Sequence, residues 1–532
     1  MKIKDNILYG NQDIVIPSHM NYGKFILDKF RRFKDKIALI DGVTEEKITY
    51  EDMAQQILDV AQSLNRLGVK KGEVVAIYSE NRIEFIVTIY AIIYIGAIVT
   101  FINNGYSKDE ILHTTNISKP RYVFFSPSTY VKGRDIFKNL NCISKFFIFD
   151  GEMEKDTISF KELVGSKVDA ETSTPEVVDG NVHTAIITYS SGTTGLPKGV
   201  KWTHLNMIVS ASQPIPSERD LIYLTVAPWS NTVGYINTRA ILVYGRTIVF
   251  MSRFNERLYL QCIEKFKVNY LMAVPTLVVI LSKSTILKDF DVNSVEIIYS
   301  GGAPLDPKVV DEGKHRFTNL KWVLQGYGMT EASGKISEED EEFNKLGSVG
   351  RVQSGLILKI VDVETRKILS PNQQGEICLK GPALFGGYIG KKSTEDYDDE
   401  GYYKSGDVGY YDEKGFLFIV DRMKELIKYK TWQVSPSELE AILLQHPAVK
   451  DAGVIGIPDT LTGEIPTAFI VKQVGASVME NDVVEFVKSK VSPWKQLRGG
   501  VRFVQEIPKN PSGKIMRRKL RELFDKTPNS KL

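Results

Sequence analysis

Five short apolar runs, VVAIY at 74–78, AIVTFI at 97–102, YVFFS at 122–126, FFIFD at 146–150 and AIITY at 185–189, alternate with segments of helical period. Strands covered on both faces read as near-continuous apolar runs. Their alternation with helices therefore predicts α/β layers. The uncharged stretch Phe85–Ile102 reaches the length at which a membrane helix becomes a candidate, about 18 residues, but Gly96 divides it. The part before Gly96 reads as a buried helix and the β-branched part after it as a central strand, so no membrane span is expected.

At 532 residues the chain exceeds one core. A domain size of about 100–200 residues predicts three or four folded units. Lys plus Arg number 68 and Asp plus Glu 65, a net charge of +3 that supplies no broad footprint for nucleic acid or an acidic membrane surface. Cys142, Cys262 and Cys378 are far apart and lack metal-ligand spacing, which predicts free thiols in a reducing compartment. The N-terminus has no apolar core of signal-peptide length. Ser530, Lys531 and Leu532 match the tripeptide read by the peroxisomal import receptor, which makes that receptor an expected partner and the peroxisome the expected location.

A domain boundary is expected near Asp421–Lys424, where the strand-like GFLFIVD gives way to a charged segment. Ser435, Pro436 and Glu438 then form a capping-box signature opening the helix LEAILLQH. AGVIGI, TAFIVKQ and a helical pattern over Glu480–Val491 complete an α+β unit. Residues 1–422 and 423–532 are the expected domains. The acidic run Glu338–Glu342 reads as a solvated loop, and the basic stretch Lys514–Arg521 as the solvated face of a short helix.

The strand AIITY runs directly into Ser190, Ser191, Gly192, Thr193, Thr194, Gly195, Leu196, Pro197, Lys198 and Gly199. By composition this is either a surface turn or a polyphosphate cradle in which glycines admit backbone amides to anionic oxygens, hydroxyls add donors and Lys198 adds charge. It is not a Walker loop, because Pro197 stands where the second glycine is required. The string resembles the signature loop of the adenylate-forming superfamily, which includes acyl-CoA synthetases, 4-coumarate-CoA ligases and insect luciferases. GGAPL at 301–305, QGYGMTE at 325–331, YKSGD at 403–407 with VDR at 420–422, and NPSGKIMRR at 510–518 follow in that family's order.

The resemblance implies a large N-terminal α/β domain of layered sheets and helices, with a small β-rich subdomain, followed by a small mobile α+β domain. It also implies ATP- and Mg²⁺-dependent activation of a small carboxylic acid. Thr193 and its neighbours would hold the β- and γ-phosphates, Thr330 the α-phosphate and Glu331 the Mg²⁺. Asp407 and Arg422 would meet the ribose and Tyr327 the adenine, with Gly301, Gly302, Ala303, Gly326, Gly328 and Met329 completing the nucleotide site. Lys514 would touch both the attacking carboxylate and the α-phosphate, Lys424 would lie at the hinge, and Lys428 would serve the second step after domain rotation.

That second step has two forms in the family: transfer to coenzyme A, or oxidation of the adenylate by O₂ with light. A nucleotide-binding protein without turnover is a third reading, which the full set Thr193, Thr330, Glu331, Asp407 and Lys514 disfavours. Three departures mark this chain. Thr431 replaces a glycine in the loop carrying Lys428. Around the acyl pocket, Trp229, Asn231 and Thr232 stand where relatives carry an aromatic residue followed by histidine. Beyond Gly334, Lys335 replaces a small or apolar residue; pointing inward it favours a second anionic or phenolate group, and pointing outward it is a solvated lysine.

Overall fold

The computed structural model describes residues 1–12, 19–150, 156–165, 167–169, 173–190, 197–215, 217–302, 305, 307–391, 393–430, 432–510 and 513–526. Each of the five apolar runs forms a strand, and all five lie in one seven-stranded sheet. Its order is Lys198–Thr203, Thr184–Ser190, Ile98–Ile102, Val74–Tyr78, Tyr122–Phe125, Lys145–Ile148 and Thr157–Ser159. Only the first pair is antiparallel. The stretch divided by Gly96 becomes the helix Ile83–Tyr94 and the strand Ile98–Ile102, with Gly96 in the left-handed region at φ +70°. Among the described residues no helix is long and apolar enough to cross a membrane.

A nine-stranded sheet follows, with Trp322–Met329, Ile297–Gly301, Tyr270–Ala273, Ile222–Thr225 and Thr247–Phe250 at its parallel centre. The helix Ile83–Tyr94 is buried along its length apart from Glu84. Its Phe85 meets Phe101 of the seven-stranded sheet and Trp229, whose indole also packs on Phe250 of the nine-stranded sheet. A helix apolar all round belongs in such an interior. A six-stranded antiparallel sheet ends in Tyr403–Tyr411 and Leu417–Arg422. The fold is therefore mixed α/β, with layered sheets and a β-rich part.

The last hundred residues build a smaller unit with its own apolar core around Ile427, Leu439, Val454 and Ile470. Its five-stranded sheet includes Ile427–Tyr429, Trp432–Val434, Val449–Asp459 and Gly463–Lys472. The helix Pro436–Leu444 starts where expected, and Ser435 Oγ accepts from Glu438 N at 3.2 Å. The reciprocal half of the capping box does not form. Glu438 instead pairs with Lys495 at 2.7 Å, and Asp421 takes Ser435 Oγ at 2.6 Å and Ser437 N at 3.0 Å.

Two charged stretches depart from expectation. Glu338 and Glu339 are 6 % and 2 % exposed, since the strand Gly334–Glu338 carries them inward and Glu339 accepts from Gln325 N, Lys345 N and Ser348 Oγ. Arg517, expected on a solvated face, is 9 % exposed and pairs bidentately with Glu440 at 2.9 and 3.0 Å. The three cysteines are free thiols. Ser530, Lys531 and Leu532 lie outside the described residues.

Candidate active site

The strand Trp322–Met329 ends in the short turn Thr330–Ala332, and its sequence explains why it passes so close to its neighbours. A β-carbon on Gly326 would fall 2.0 Å from Tyr299 Oη, and one on Gly328 would fall 2.1 Å from the Gly334 carbonyl. Only glycine admits these approaches without displacing the strand. Thr330 is then fixed from two other elements: its carbonyl accepts from Trp202 Nε1 at 2.7 Å, and its hydroxyl lies 3.0 Å from that of Thr232. Buried Glu331 accepts from Tyr388 Oη at 2.8 Å. The Lys198 ammonium sits 5.1 Å from the centre of the Tyr388 ring, bringing the residue that ends the signature loop to the same corner.

Opposite stands Asp407, 5 % exposed, where Tyr327 Oη donates to Oδ2 at 2.5 Å and Arg422 Nε lies 3.3 Å from Oδ1. Burial raises the Asp407 carboxyl above its ordinary range, opposed first by Arg422. Arg422 and Asp407 are register partners of adjacent strands. Half-buried Lys514 comes from the smaller unit into the same electrostatic cluster, which contains Arg422, Asp407, Glu425 and Glu331. Its loop is closed by Lys514 N donating to Asn510 Oδ1 at 2.9 Å, and its Gly513 turns at φ +81° with the added-Cβ position 3.7 Å from Thr276 Oγ1.

Burial lowers the Lys514 pKa, Arg422 adds to the fall, and Asp407, Glu425 and Glu331 oppose it. The lysine thus loses its proton at a lower pH than an ordinary lysine as pH rises. If adenylation needs the ammonium, kcat/KM for ATP should fall on the alkaline side beginning below the ordinary lysine value of 10.5. Lys514→Arg should carry that limb upward, because guanidinium stays charged. A pH–rate profile of pyrophosphate exchange for both proteins checks this; superimposable alkaline limbs would exclude Lys514 as their source.

Of the expected site residues, Thr330, Glu331, Tyr327, Asp407, Arg422 and Lys514 come together, and Lys198 lies beside Tyr388. Ser190 pairs in register with Lys198 at the mouth of the signature loop. Gly301 ends its strand beside Gly326, and Gly302 turns away at φ +92°. Met329 pairs with Gly334 across the bend. Lys424 is exposed in the turn after Arg422. Lys428 is exposed on a hairpin whose backbone is held by Glu464, Lys428 N to Oε2 at 2.8 Å. Ser191, Gly192, Thr193, Thr194, Gly195, Ala303 and Thr431 lie outside the described residues.

The acyl side differs from expectation at Trp229. It is fully buried between Phe85 and Phe250, because its backbone N–H is drawn in by Asn81 Oδ1 at 2.7 Å; it is core rather than pocket wall. Asn231 faces Asn103 at 2.8 Å. Lys335 points inward, with its side chain 15 % exposed, paired with Glu338 and 5.1 Å from the centre of the Tyr299 ring. Sequence patterns gave no signal for Trp202, Tyr388 or Asn103, since each reaches the site across a long sequence separation and none sits in a recognised string.

Mg²⁺ bound to a nucleotide characteristically takes one or two carboxylates, its remaining oxygens coming from phosphate and water, and the buried Glu331 carboxylate, oriented by Tyr388 Oη, is a hard oxygen donor of that kind.

A parallel-centred sheet system joined to a small α+β unit, with a threonine–glutamate turn, a buried aspartate and a lysine from the small unit around one corner, defines an adenylate-forming enzyme. The chain belongs to the AMP-binding enzyme family: the family's profile matches residues 27–389, and that of its C-terminal domain matches residues 438–514. It is 38 % identical to a luciferin 4-monooxygenase of Nipponoluciola cruciata over 92 % of both chains. It is 35 % identical to the 4-coumarate–CoA ligase CCL1 of Humulus lupulus over 96 % of this chain and 95 % of that one. ATP-bound MatB from Rhodopseudomonas palustris superposes with a TM-score of 0.83 at 26 % identity, covering 95 % of this chain and 99 % of that one.

Proposed function

We propose that this enzyme converts a carboxylic acid, aromatic or fatty, to its acyl adenylate and then transfers the acyl group to coenzyme A, with import into the peroxisome through Ser530–Leu532. Residues 1–422 act as the adenylating domain and 423–532 as the mobile one. The observation that carries the proposal is that the Gly513–Lys514 turn of the small unit lies against the large one, its Gly513 position 3.7 Å from Thr276 Oγ1, near enough for Arg422, Asp407 and Glu331 to act on the Lys514 charge.

The first step sets two anions against each other, so positioning and fixed positive charge govern its rate. A substrate carboxylate oxygen attacks the α-phosphorus, and the bond from that phosphorus to the bridging oxygen breaks as pyrophosphate leaves. Lys514 lies between the two anions and offsets their repulsion. Thr330 donates to the α-phosphate, held by Trp202 and Thr232. Asp407 receives the ribose hydroxyls, with Arg422 beside it, and Tyr327 flanks the adenine. Glu331 would hold Mg²⁺, which when bound would supply further charge neutralisation on the phosphates.

In the second step the small domain rotates about Lys424 and presents Lys428. The thiol sulfur of coenzyme A attacks the acyl carbon, the bond to AMP breaks, and the thiol proton passes to solvent. The 38 % identity to a luciferin 4-monooxygenase favours a second reading, in which O₂ oxidises the bound adenylate with emission of light.

With ATP, Mg²⁺ and a panel of aromatic and fatty acids, acid-dependent exchange of labelled pyrophosphate into ATP is the expected result. Thioester should appear only when coenzyme A is added. Light that requires O₂ and a luciferin carboxylate, without thioester from any acid, selects the second reading. No exchange across the panel rejects both in favour of nucleotide binding without turnover.

A further inference from the structure

The helix Thr232–Leu242 lays one face on the turn that carries Thr330 and Glu331. Thr232, Ile236 and Arg239 are spaced by four and three residues, so they share that face. Thr232 meets the Thr330 hydroxyl at 3.0 Å. Ile236 packs on the bend after the turn, where a β-carbon on Gly334 would fall 2.6 Å from its Cγ2. Arg239 completes the series from the interior, 1 % exposed. Its Nη1 donates to the Met207 carbonyl at 3.1 Å and its Nη2 to Ser210 Oγ at 3.0 Å, and among the described residues no carboxylate pairs with it. Burying a cation without a counter-charge is costly. A position that needed only packing is filled as well by an apolar side chain of similar volume.

We propose that Arg239 is a positioning residue for adenylation, acting through Ser210 on the turn that aims Thr330 at the α-phosphate. The proposal rests on the adenylation reading above. A guanidinium donates and cannot accept. Ser210 Oγ must therefore accept from Arg239, and its one proton is committed to its other neighbour, the Ser333 carbonyl, at 2.9 Å. A hydroxyl facing a neutral partner could turn round; beside this cation it cannot.

Ser333 is where such a commitment matters. It leaves the turn in the left-handed region at φ +51°, which a residue bearing a side chain adopts only at a cost. It is fully buried, and its N–H closes the turn on the Thr330 carbonyl at 3.2 Å. Ser333 is thus held at its carbonyl by Ser210 and at its N–H by Thr330, and the strained exit keeps one orientation. The Thr330 hydroxyl keeps its aim with it, while Arg239 stays buried behind the turn and acts only through this chain of bonds.

The test measures acid-dependent pyrophosphate exchange, with the acid that the wild type exchanges fastest, together with thermal melting of each variant. Ser210→Ala and Arg239→Met should each lower kcat by roughly tenfold, the worth of one such hydrogen bond, with KM for ATP little changed, because the aim of Thr330 counts in the transition state. Arg239→Lys keeps a donor that cannot accept and should stay close to wild type. Since both residues act through one hydroxyl, Arg239→Met/Ser210→Ala should be no slower than the slower single variant. Leu242→Ala, a fully buried site on the same helix, should lower the melting temperature and leave kcat unchanged below it.

Losses that multiply in the double variant, an Arg239→Lys as slow as Arg239→Met, or a kcat loss in Leu242→Ala equal to that of Ser210→Ala reduces Arg239 to a packing residue and overturns the inference alone. If Arg239→Met does not fold, wild-type kcat in Ser210→Ala has the same force and a tenfold loss supports the proposal. Absence of exchange by the wild type with every acid overturns the adenylation reading and this inference with it.

Discussion

Lys514→Ala lowers the rate of acyl-adenylate formation by about a hundred- to a thousandfold, the loss expected when one preorganised donor is removed from a site where charge develops. The lysine reaches the corner from the smaller unit, where its neighbours are Arg422, Asp407, Glu425 and Glu331. Alanine there removes this positive charge and leaves the two reacting anions to repel one another. Turnover of a supplied acyl adenylate with coenzyme A should stay close to wild type, because that step comes after the lysine has acted. Lys428→Ala should do the reverse, sparing adenylation and slowing thioester formation. Measuring both half-reactions for both variants checks the division; equal losses in the two assays refute it.

Arg517→Met should destabilise the smaller unit by about 3–5 kcal/mol, the usual cost of removing one partner from a buried ion pair. Its guanidinium holds Glu440 bidentately and lies 3.4 Å from Glu425. Glu440 also accepts from Val454 N at 2.8 Å, so one buried carboxylate ties the helix Pro436–Leu444 to the strand behind it. Burial pushes the Glu440 carboxyl up to about 7, with Arg517 the chief opposing charge. Without Arg517 the carboxyl is raised further, and a carboxyl raised in the folded state favours folding only while protonated. The variant's stability is therefore greatest below the ordinary carboxyl value of 4.5 and falls progressively as pH rises from there through the raised folded-state value. Denaturation followed by tryptophan emission reports on this unit through the stacked pair Trp432–Trp494. Arg517→Met/Glu440→Leu should recover most of the loss; a double variant no more stable than the single one would show that the ion pair is not the cause.

The two predictions bear on different parts of the same segment. Lys514 lies in a motif legible in the sequence, whereas Arg517, three residues on, reads there as one more exposed cation. What separates them is the direction of the chain after Gly513: the helix Arg517–Lys526 begins with its first side chain turned toward Glu440. Lys335 makes the same point in the acyl region. Its sequence position left inward and outward orientations equally open, and Glu338 decides between them by offering a buried partner.

The strands at 74–78, 98–102 and 184–190, the helix ending before Gly96, the N-cap at Ser435 and the string leading to Thr330 and Glu331 were all determined by the sequence itself. Each depends on local chemistry: β-branched runs, a left-handed glycine, a hydroxyl before proline, and glycines where backbones must touch. The partners that make those residues a site were decided by tertiary structure. Trp202 reaches Thr330 across 128 residues and Tyr388 reaches Glu331 across 57, while Trp229 is withdrawn into the core and Glu338 is brought inward against Lys335. Periodicity and turn chemistry act over a few residues, but a side chain's burial and partner are set by whichever distant segment packs against it.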